Sequence, residues 1–206
     1  ILMETISIIL ILLFSVIIHE VSHGYAALAL GDQTAKYEGR LSLNPLVHLD
    51  PIGSILVPLI GYFSGGIIIG WAKPVPFNPY NLRNQRWGEA LVAIAGPVSN
   101  IIIATIFAMV IRFSYGSAFA TEQFLFITGY IVFINIILAI FNMIPIPPLD
   151  GSKVLFSILP HRFYQMRFAF ERFGLIFVLI FVFVLWRFIA PLASYIFTFL
   201  VGMPFY

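Results

Sequence analysis

The chain has 206 residues, of which 61% are hydrophobic and only 10% charged, and its mean hydropathy is +1.01. An ordinary soluble domain is about half apolar and a quarter charged, so this composition excludes a soluble globular protein and predicts an integral membrane protein. The net charge of +2 includes no long basic run, which argues against nucleic-acid binding, and the lack of cysteine excludes disulfides and thiolate metal ligands.

Five apolar blocks follow one another along the chain, which has room for about four to six membrane spans. They are residues 3–30, 52–71, 88–111, 124–144 and 173–206. We expect one membrane-embedded domain over residues 1–206, with a core over about 3–159 and C-terminal spans over about 172–206. The predicted fold class is an α-helical polytopic membrane protein. Its parts are a three-helix core, a re-entrant or extended segment, and one or two C-terminal spans.

The first block contains His19-Glu20-Val21-Ser22-His23, an HExxH sequence inside an almost unbroken apolar stretch. On a helix, residues four apart share a face, so both imidazoles can bind one zinc ion. Glu20 would lie beside them as a base toward a water molecule. Histidine and carboxylate side chains are costly to bury in lipid unless they have partners or a metal. The alternative is a helix whose polar side chains are satisfied by neighbouring helices.

The second block, 52–71, decides the topology. If it crossed the membrane, the ends of the first and fourth blocks would face opposite sides. If it enters and leaves on the same side, nine of ten loop charges share one side and Arg112 alone lies opposite. The positive-inside rule makes the first side cytoplasmic. The glycines and the proline of the block also favour a re-entrant or extended segment, which is therefore our prediction.

The fourth block is followed by three prolines within residues 145–148, which cannot continue a helix, and then by Asp150. In the preferred topology this turn reaches the same side of the membrane as HExxH. With no cysteine in the chain, Asp150 qualifies as a third zinc ligand. From spacing alone, an equally good interpretation is that Asp150 only caps a helix that begins near Ser152.

Three sequences together resemble the site-2 protease family of intramembrane zinc metalloproteases: HEVSH at 19–23, AGPVSN at 95–100 and NMIPIPPLDG at 142–151. The sequence GRLSLNPLVHLDPIG at 39–53 is similar to that of the compact bacterial and archaeal members, which lack an inserted PDZ domain. The resemblance extends over most of the chain, to about residue 159. It implies hydrolysis of peptide bonds within or next to transmembrane segments of other membrane proteins.

The resemblance also implies the site. One zinc ion per chain would be bound by His19, His23 and Asp150. Glu20 would be the general base and acid, and Asn142 would hold the substrate backbone or the oxyanion beside the scissile peptide. The implied partners are a transmembrane protein substrate, the lipid bilayer and a regulatory membrane protein, with no nucleic acid. The implied location is a prokaryotic cell membrane, which the protein crosses several times with its active site toward the cytoplasm.

Two other functions compete with the protease. A zinc transporter would also carry intramembrane histidine and aspartate, but it would not need a base beside the ligands, as Glu20 is. An inactive relative could serve as a scaffold that binds membrane proteins, although no residue of the three sequences is missing here.

Four further polar residues have a structural interpretation. We expect the Asn100 amide to hold helices together, and His48 to be bonded within its own loop rather than to form a metal site with Asp50. His161 is expected in an amphipathic cytoplasmic stretch. Arg187 either extends to the membrane surface or marks a break between two short spans.

Overall fold

The computed structural model describes residues 2–50, 73–117, 120–160 and 164–205, with only part of the side chains of the last helix. These residues contain no strand, and the predicted helical fold is confirmed. The α-helices are α1 (Leu2–Ala29), α2 (Thr34–Tyr37), α3 (Gly88–Ser114), α4 (Glu122–Asn142), α5 (Asp150–Ile158) and α6 (Tyr164–Val201). Short 3-10 turns occur at Pro45–His48 and Pro79–Asn81.

Three of these helices, α1, α3 and α4, are long and apolar enough to cross a bilayer. Their lengths are 28, 27 and 21 residues. At a rise of about 1.5 Å per residue, even the shortest spans the hydrocarbon core of about 30 Å. Thr121 caps α4, since its hydroxyl accepts a hydrogen bond from the Phe124 backbone N–H at 3.2 Å.

The three long helices are neighbours, and polar contacts fix their directions. Val92 of α3 contacts His23 of α1, and Asn100, further along α3, contacts the earlier residue His19. Helix α3 therefore runs antiparallel to α1. Ser15 of α1 is joined to Asn135 of α4. The end of α4 and the start of α5 therefore return to the level of the two histidines.

An apolar core lies at the other end of α3. This cluster comprises Ala104, Ala108, Ile111, Val132, Ile136, Ala193, Phe197 and Val201. Alanines at 104 and 108 let neighbouring helices approach closely, which is how membrane helices gain packing energy without a hydrophobic difference between lipid and protein.

The C-terminal block forms the single helix α6, which has 38 residues and continues through both Arg187 and Pro191. The idea that Arg187 marks a break between two short spans is therefore wrong. Pro191 lacks an N–H and leaves the carbonyl four residues earlier without its helical donor. Packing of Ala193, Phe197 and Val201 in the core keeps the helix in place beyond this point.

The re-entrant or extended path predicted for the second block, 52–71, lies outside the described residues. Its two flanks are described and lie side by side. The Lys73 backbone N–H donates to the His48 carbonyl at 2.9 Å. The Arg40 guanidinium also binds carbonyls of both flanks, those of Val47 and Lys73. This proximity is what entry and exit on one side would require.

Candidate metal centre

The HExxH sequence lies on α1 with both histidines facing inward. His19 and His23 are 5% and 7% exposed. One helical turn separates them, which brings their Nε2 atoms to 3.1 Å from each other. The four-residue spacing of HExxH therefore brings the two imidazoles together, as predicted from the sequence.

Asp150 completes the group from the other end of the chain. Its Oδ2 lies 3.1 Å from Nε2 of His19 and 3.1 Å from Nε2 of His23. The helix cap of α5 is Leu149, and Asp150 is the first residue of the helix itself. The capping interpretation is therefore wrong, because the carboxylate is turned toward the histidines and not toward the α5 backbone.

The hydrogen-bond partners of the two Nδ1 atoms fix the tautomer of each histidine. Nδ1 of His23 lies 2.7 Å from the Val92 carbonyl, which can only accept, so this Nδ1 carries the hydrogen. Nδ1 of His19 lies 2.5 Å from Oδ1 of Asn100 and donates in the same way. Each inner nitrogen therefore presents a lone pair to the space between the ligands.

These atoms fit a zinc ion. Two imidazole lone pairs and a carboxylate oxygen form a triangle with sides of 3.1 Å. Three acceptors this close repel one another unless a cation lies among them. Ligands about 2.0–2.1 Å from a tetrahedral zinc would be about 3.3–3.4 Å apart, close to these distances. A three-ligand site also leaves a fourth position for water.

Gly96 supplies the space beside this triangle. A Cβ atom placed on Gly96 would lie 2.5 Å from Nε2 of His23 and 2.6 Å from Nε2 of His19. Only a residue without a side chain leaves both ligand atoms uncovered on this face. The glycine thus permits close helix approach and leaves both Nε2 atoms uncovered on this face.

A chain of buried amides continues from His19 into the helix bundle. The amide of Asn100 donates to Oδ1 of Asn135 at 2.7 Å, and the amide of Asn135 donates to the hydroxyl of Ser15 at 2.9 Å. Asn100 and Asn135 are fully buried. The expectation that Asn100 holds helices together is confirmed, and its contact with His19 orients the ring of a candidate metal ligand. No sequence motif predicted this role of Asn135, although a lone Asn within an apolar span is a signal for it.

Asp150 has a charged neighbour that no sequence motif predicted. Nζ of Lys153 lies 3.2 Å from Oδ1 of Asp150, one turn further along α5, and 5.7 Å from the ring centre of Phe77. The three-residue spacing on a helix was the available signal. Because Lys153 binds Oδ1 of Asp150, Oδ2 is the oxygen that faces the histidines.

Glu20 is half-buried beside the two histidines. Its Oε2 accepts a hydrogen bond from the Val75 backbone N–H at 3.0 Å. This contact comes from the extended residues 73–78, which no motif in the sequence predicted.

Asn142 is the last residue of α4, and its amide donates to the Leu138 carbonyl at 3.0 Å within its own helix. Within the described chain, none of its hydrogen bonds reaches the three ligands. Its role toward substrate stays a prediction.

The remaining polar candidates have different positions. Nε2 of His48 lies 2.7 Å from the Ser42 carbonyl, so its expected bond within the loop is confirmed. Ser22 donates to the Ile18 carbonyl of its own helix at 2.7 Å. His161 lies outside the described residues. In the part of the chain that is described, the only cluster of three metal-ligating side chains is His19, His23 and Asp150.

Comparison with known proteins points to a family of peptidases. The model of peptidase family M50 matches residues 114–186, a range that includes Asp150 but not HExxH. No solved structure matches the chain.

Three relatives show how far the similarity extends. YwhC of Bacillus subtilis, named as a candidate zinc metalloprotease, is 39% identical over 191 residues, or 90% of this chain and 81% of YwhC. Rip2 of Mycolicibacterium smegmatis, named in the same way, is 29% identical over 145 residues, or 69% of this chain and 53% of Rip2. MJ0611 of Methanocaldococcus jannaschii, also so named, is 44% identical over 65 residues, or 31% of each chain. The match therefore spans about half of Rip2 and most of YwhC.

Proposed function

The chain belongs to the site-2 protease family, peptidase family M50, and we propose that it cleaves peptide bonds within or next to transmembrane segments of other membrane proteins. The observation that carries the proposal is the meeting of His19, His23 and Asp150 at one point, from positions up to 131 residues apart. These three side chains would hold the zinc ion. Since His19 and His23 lie in a helix long enough to cross the bilayer, hydrolysis would occur within the membrane.

The chemistry that zinc supplies at such a site is polarisation of the scissile carbonyl and acidification of water. Glu20 takes a proton from the attacking water, whose oxygen adds to the carbonyl carbon. When the C–N bond breaks, Glu20 returns the proton to the amine nitrogen. The Val75 N–H holds Oε2 of Glu20, so we assign the proton transfers to Oε1.

Asn142 would bind substrate near this point. Its position at the end of α4 lies eight residues before Asp150 in the chain. An amide donor aimed at the developing oxyanion is typically worth about 3 kcal/mol of transition-state stabilisation. To serve in this way, the amide would exchange its bond with Leu138 for one with the substrate.

The location and partners are part of the same proposal. The protein would be a multi-pass protein of a prokaryotic cell membrane, with its active site toward the cytoplasm as the distribution of positive charge suggests. Its partners would be a transmembrane protein substrate and a regulatory membrane protein.

Zinc content and cleavage test the proposal together. Detergent-purified parent is expected to hold about one zinc per chain, and His23→Ala and Asp150→Ala should lose most of it. His48→Ala is the matched control, because it removes a buried histidine outside the site. Cleavage is measured on a panel of fluorescently tagged single-span membrane proteins in the same micelles, with Glu20→Gln as the inactive, zinc-loaded variant.

The outcomes separate the candidate functions. Zinc binding with cleavage that Glu20→Gln abolishes supports the protease. Zinc binding that depends on Asp150, with transport across vesicles and no cleavage, would favour the transporter. A folded parent without zinc would favour the scaffold.

A further inference from the structure

Residues 73–78 bring a single backbone donor to Glu20. Pro74 and Pro76 have no N–H, so Val75 is the one amide donor between Lys73 and Phe77. This N–H lies 3.0 Å from Oε2 of Glu20. The Val75 side chain is buried and faces α1, where a Cβ on Gly24 would lie 2.9 Å from its Cγ1. The segment therefore offers Glu20 one donor at a fixed place.

Arg40 fixes the residues immediately before that donor. Its guanidinium is buried, and Nη2 donates to the Lys73 carbonyl at 2.7 Å and to the Pro74 carbonyl at 3.1 Å. Nη1 donates to the Val47 carbonyl. The planar fork of arginine can hold several carbonyls in one geometry, which the single ammonium of lysine cannot reproduce. Both carbonyls that precede the Val75 N–H are thus bound to one side chain.

Asp32 fixes the residues after Val75. Its buried carboxylate accepts from the Asn78 backbone N–H at 2.8 Å and from the Asn81 amide at 2.9 Å. Anchors on both sides of Val75 leave the amide little freedom to turn away from Glu20. Arg40 binds the carbonyls one and two residues before Val75, whereas Asp32 binds the backbone N–H three residues after it, so Arg40 acts closer to the donor.

We propose that Arg40 is a positioning residue for Glu20, which it orients through the Lys73 and Pro74 carbonyls and the Val75 N–H. This inference rests on the proposed role of Glu20 as general base. Arg40 itself contacts neither the ligands nor Glu20. When the guanidinium is removed, the segment relaxes, the Val75 N–H leaves Oε2, and the carboxylate samples other rotamers. The zinc ligands are held by α1, α3 and α5 and stay in place.

Amide hydrogen exchange at Val75 tests this coupling without any substrate. Because residues 74 and 76 are prolines without an amide hydrogen, a peptide fragment from this segment reports the exchange of Val75 with no contribution from its immediate neighbours. Arg40→Gln and Glu20→Ala are both expected to accelerate exchange at Val75 about tenfold or more, with zinc content and melting temperature close to those of the parent. Arg112→Gln, which changes an exposed arginine at the far end of α3, is the matched control and should leave exchange unchanged.

Kinetics on the tagged substrate that the parent cleaves give the second measurement. Arg40→Gln should lower kcat about ten- to a hundredfold with KM nearly unchanged, and Arg40→Lys should recover part of the rate. Val75→Pro removes the donor and should lower kcat similarly, whereas Val75→Ala keeps it. The double variant Arg40→Gln/Val75→Pro should be no slower than Val75→Pro alone.

Three results would overturn the proposal: parental exchange at Val75 in a folded Arg40→Gln, loss of zinc together with the fold in both Arg40 variants, or multiplying rate losses in the double variant. If no substrate is cleaved, the proposed function fails, while exchange at Val75 still decides whether Arg40 positions Glu20.

Discussion

Oδ1 of Asn100 lies 2.5 Å from Nδ1 of His19, so a residue of α3 fixes which nitrogen of a ligand on α1 carries the hydrogen. The amide of Asn100 donates to Asn135 at the same time, which prevents the side chain from turning its nitrogen toward His19. The contact therefore acts on the ring orientation and on the basicity of Nε2, the atom that would bind the metal.

Replacing Asn100 should weaken zinc binding without removing a ligand. We expect Asn100→Leu to reduce zinc affinity about ten- to a hundredfold, because His19 loses its acceptor and Asn135 loses its donor. Competition with a chelator of known affinity measures the change. Asn142→Ala is the control, since Asn142 bonds within its own helix, and it should retain parental affinity. Equal affinities in all three proteins would contradict the role of Asn100.

A methyl group at position 96 should block the metal. Gly96→Ala places a Cβ within 2.6 Å of both Nε2 atoms, so we expect nearly complete loss of bound zinc from a protein that remains helical. Gly129→Ala makes the same change in α4, where the nearest atom to a Cβ is 3.7 Å away, and should keep its zinc. Metal analysis of the two purified variants, with circular dichroism as the check on folding, distinguishes them.

Lys153 should contribute modestly to the metal site. Its ammonium lies 3.2 Å from Oδ1 of Asp150, but the side chain is 31% exposed, so solvent screens the interaction. We expect Lys153→Met to lower zinc affinity by about tenfold or less and Lys153→Arg to retain most of it. Lys36→Met, which removes an exposed lysine elsewhere, should have no effect on chelator competition. A loss in Lys36→Met as large as that in Lys153→Met would show that only net charge matters.

Asp32 should make the protein sensitive to acid. Burial raises the pKa of this carboxyl. Hydrogen bonds from Thr34, Asn81 and the Asn78 backbone together lower the pKa by more than burial raises it, so the pKa lies below its ordinary value of 3.8. A carboxyl with a lowered folded-state pKa stabilises the fold above its unfolded pKa. The contribution is lost as pH falls from about that value through the folded pKa.

The measurement is thermal unfolding of zinc-free protein in detergent across this acid range. Asp32→Asn should have a lower melting temperature than the parent near neutral pH, and the difference should shrink as the solution becomes more acidic. A constant difference at every pH would mean that the ionised form of Asp32 is not what stabilises the loop.

Local sequence patterns were enough to predict the parts of the site that depend on chain geometry alone. Residues four apart on a helix must share a face, so His19 and His23 could be paired from HExxH. A turn built on three prolines placed Asp150 within reach of them. Whether Asp150 capped its helix or faced the histidines depended on contacts 131 residues away along the chain, and the spacing left both possibilities equal.

The sequence indicated that Asn100 holds helices together, but not which residues it contacts. The bonds of Asn135 to Asn100 and Ser15 depend on how α4 is rotated against α1 and α3, which no periodicity in an almost uniformly apolar helix specifies. The Val75 N–H belongs to the backbone and leaves no side-chain signature at all. At Arg187 a break between two short spans was one of two possibilities, but packing of α6 against α3 and α4 outweighs the helical bond lost at Pro191.

The hydrogen bond from the Lys73 backbone N–H to the His48 carbonyl joins the two ends of the segment between them and so closes a loop. Closing such a loop costs free energy that rises only slowly with its length, so residues can be added or removed inside it at small thermodynamic cost. The His48–Lys73 bond holds the two ends of the segment together whatever its length. A longer or shorter segment would therefore leave the packing of the described helices largely unchanged, provided that the His48–Lys73 bond is kept.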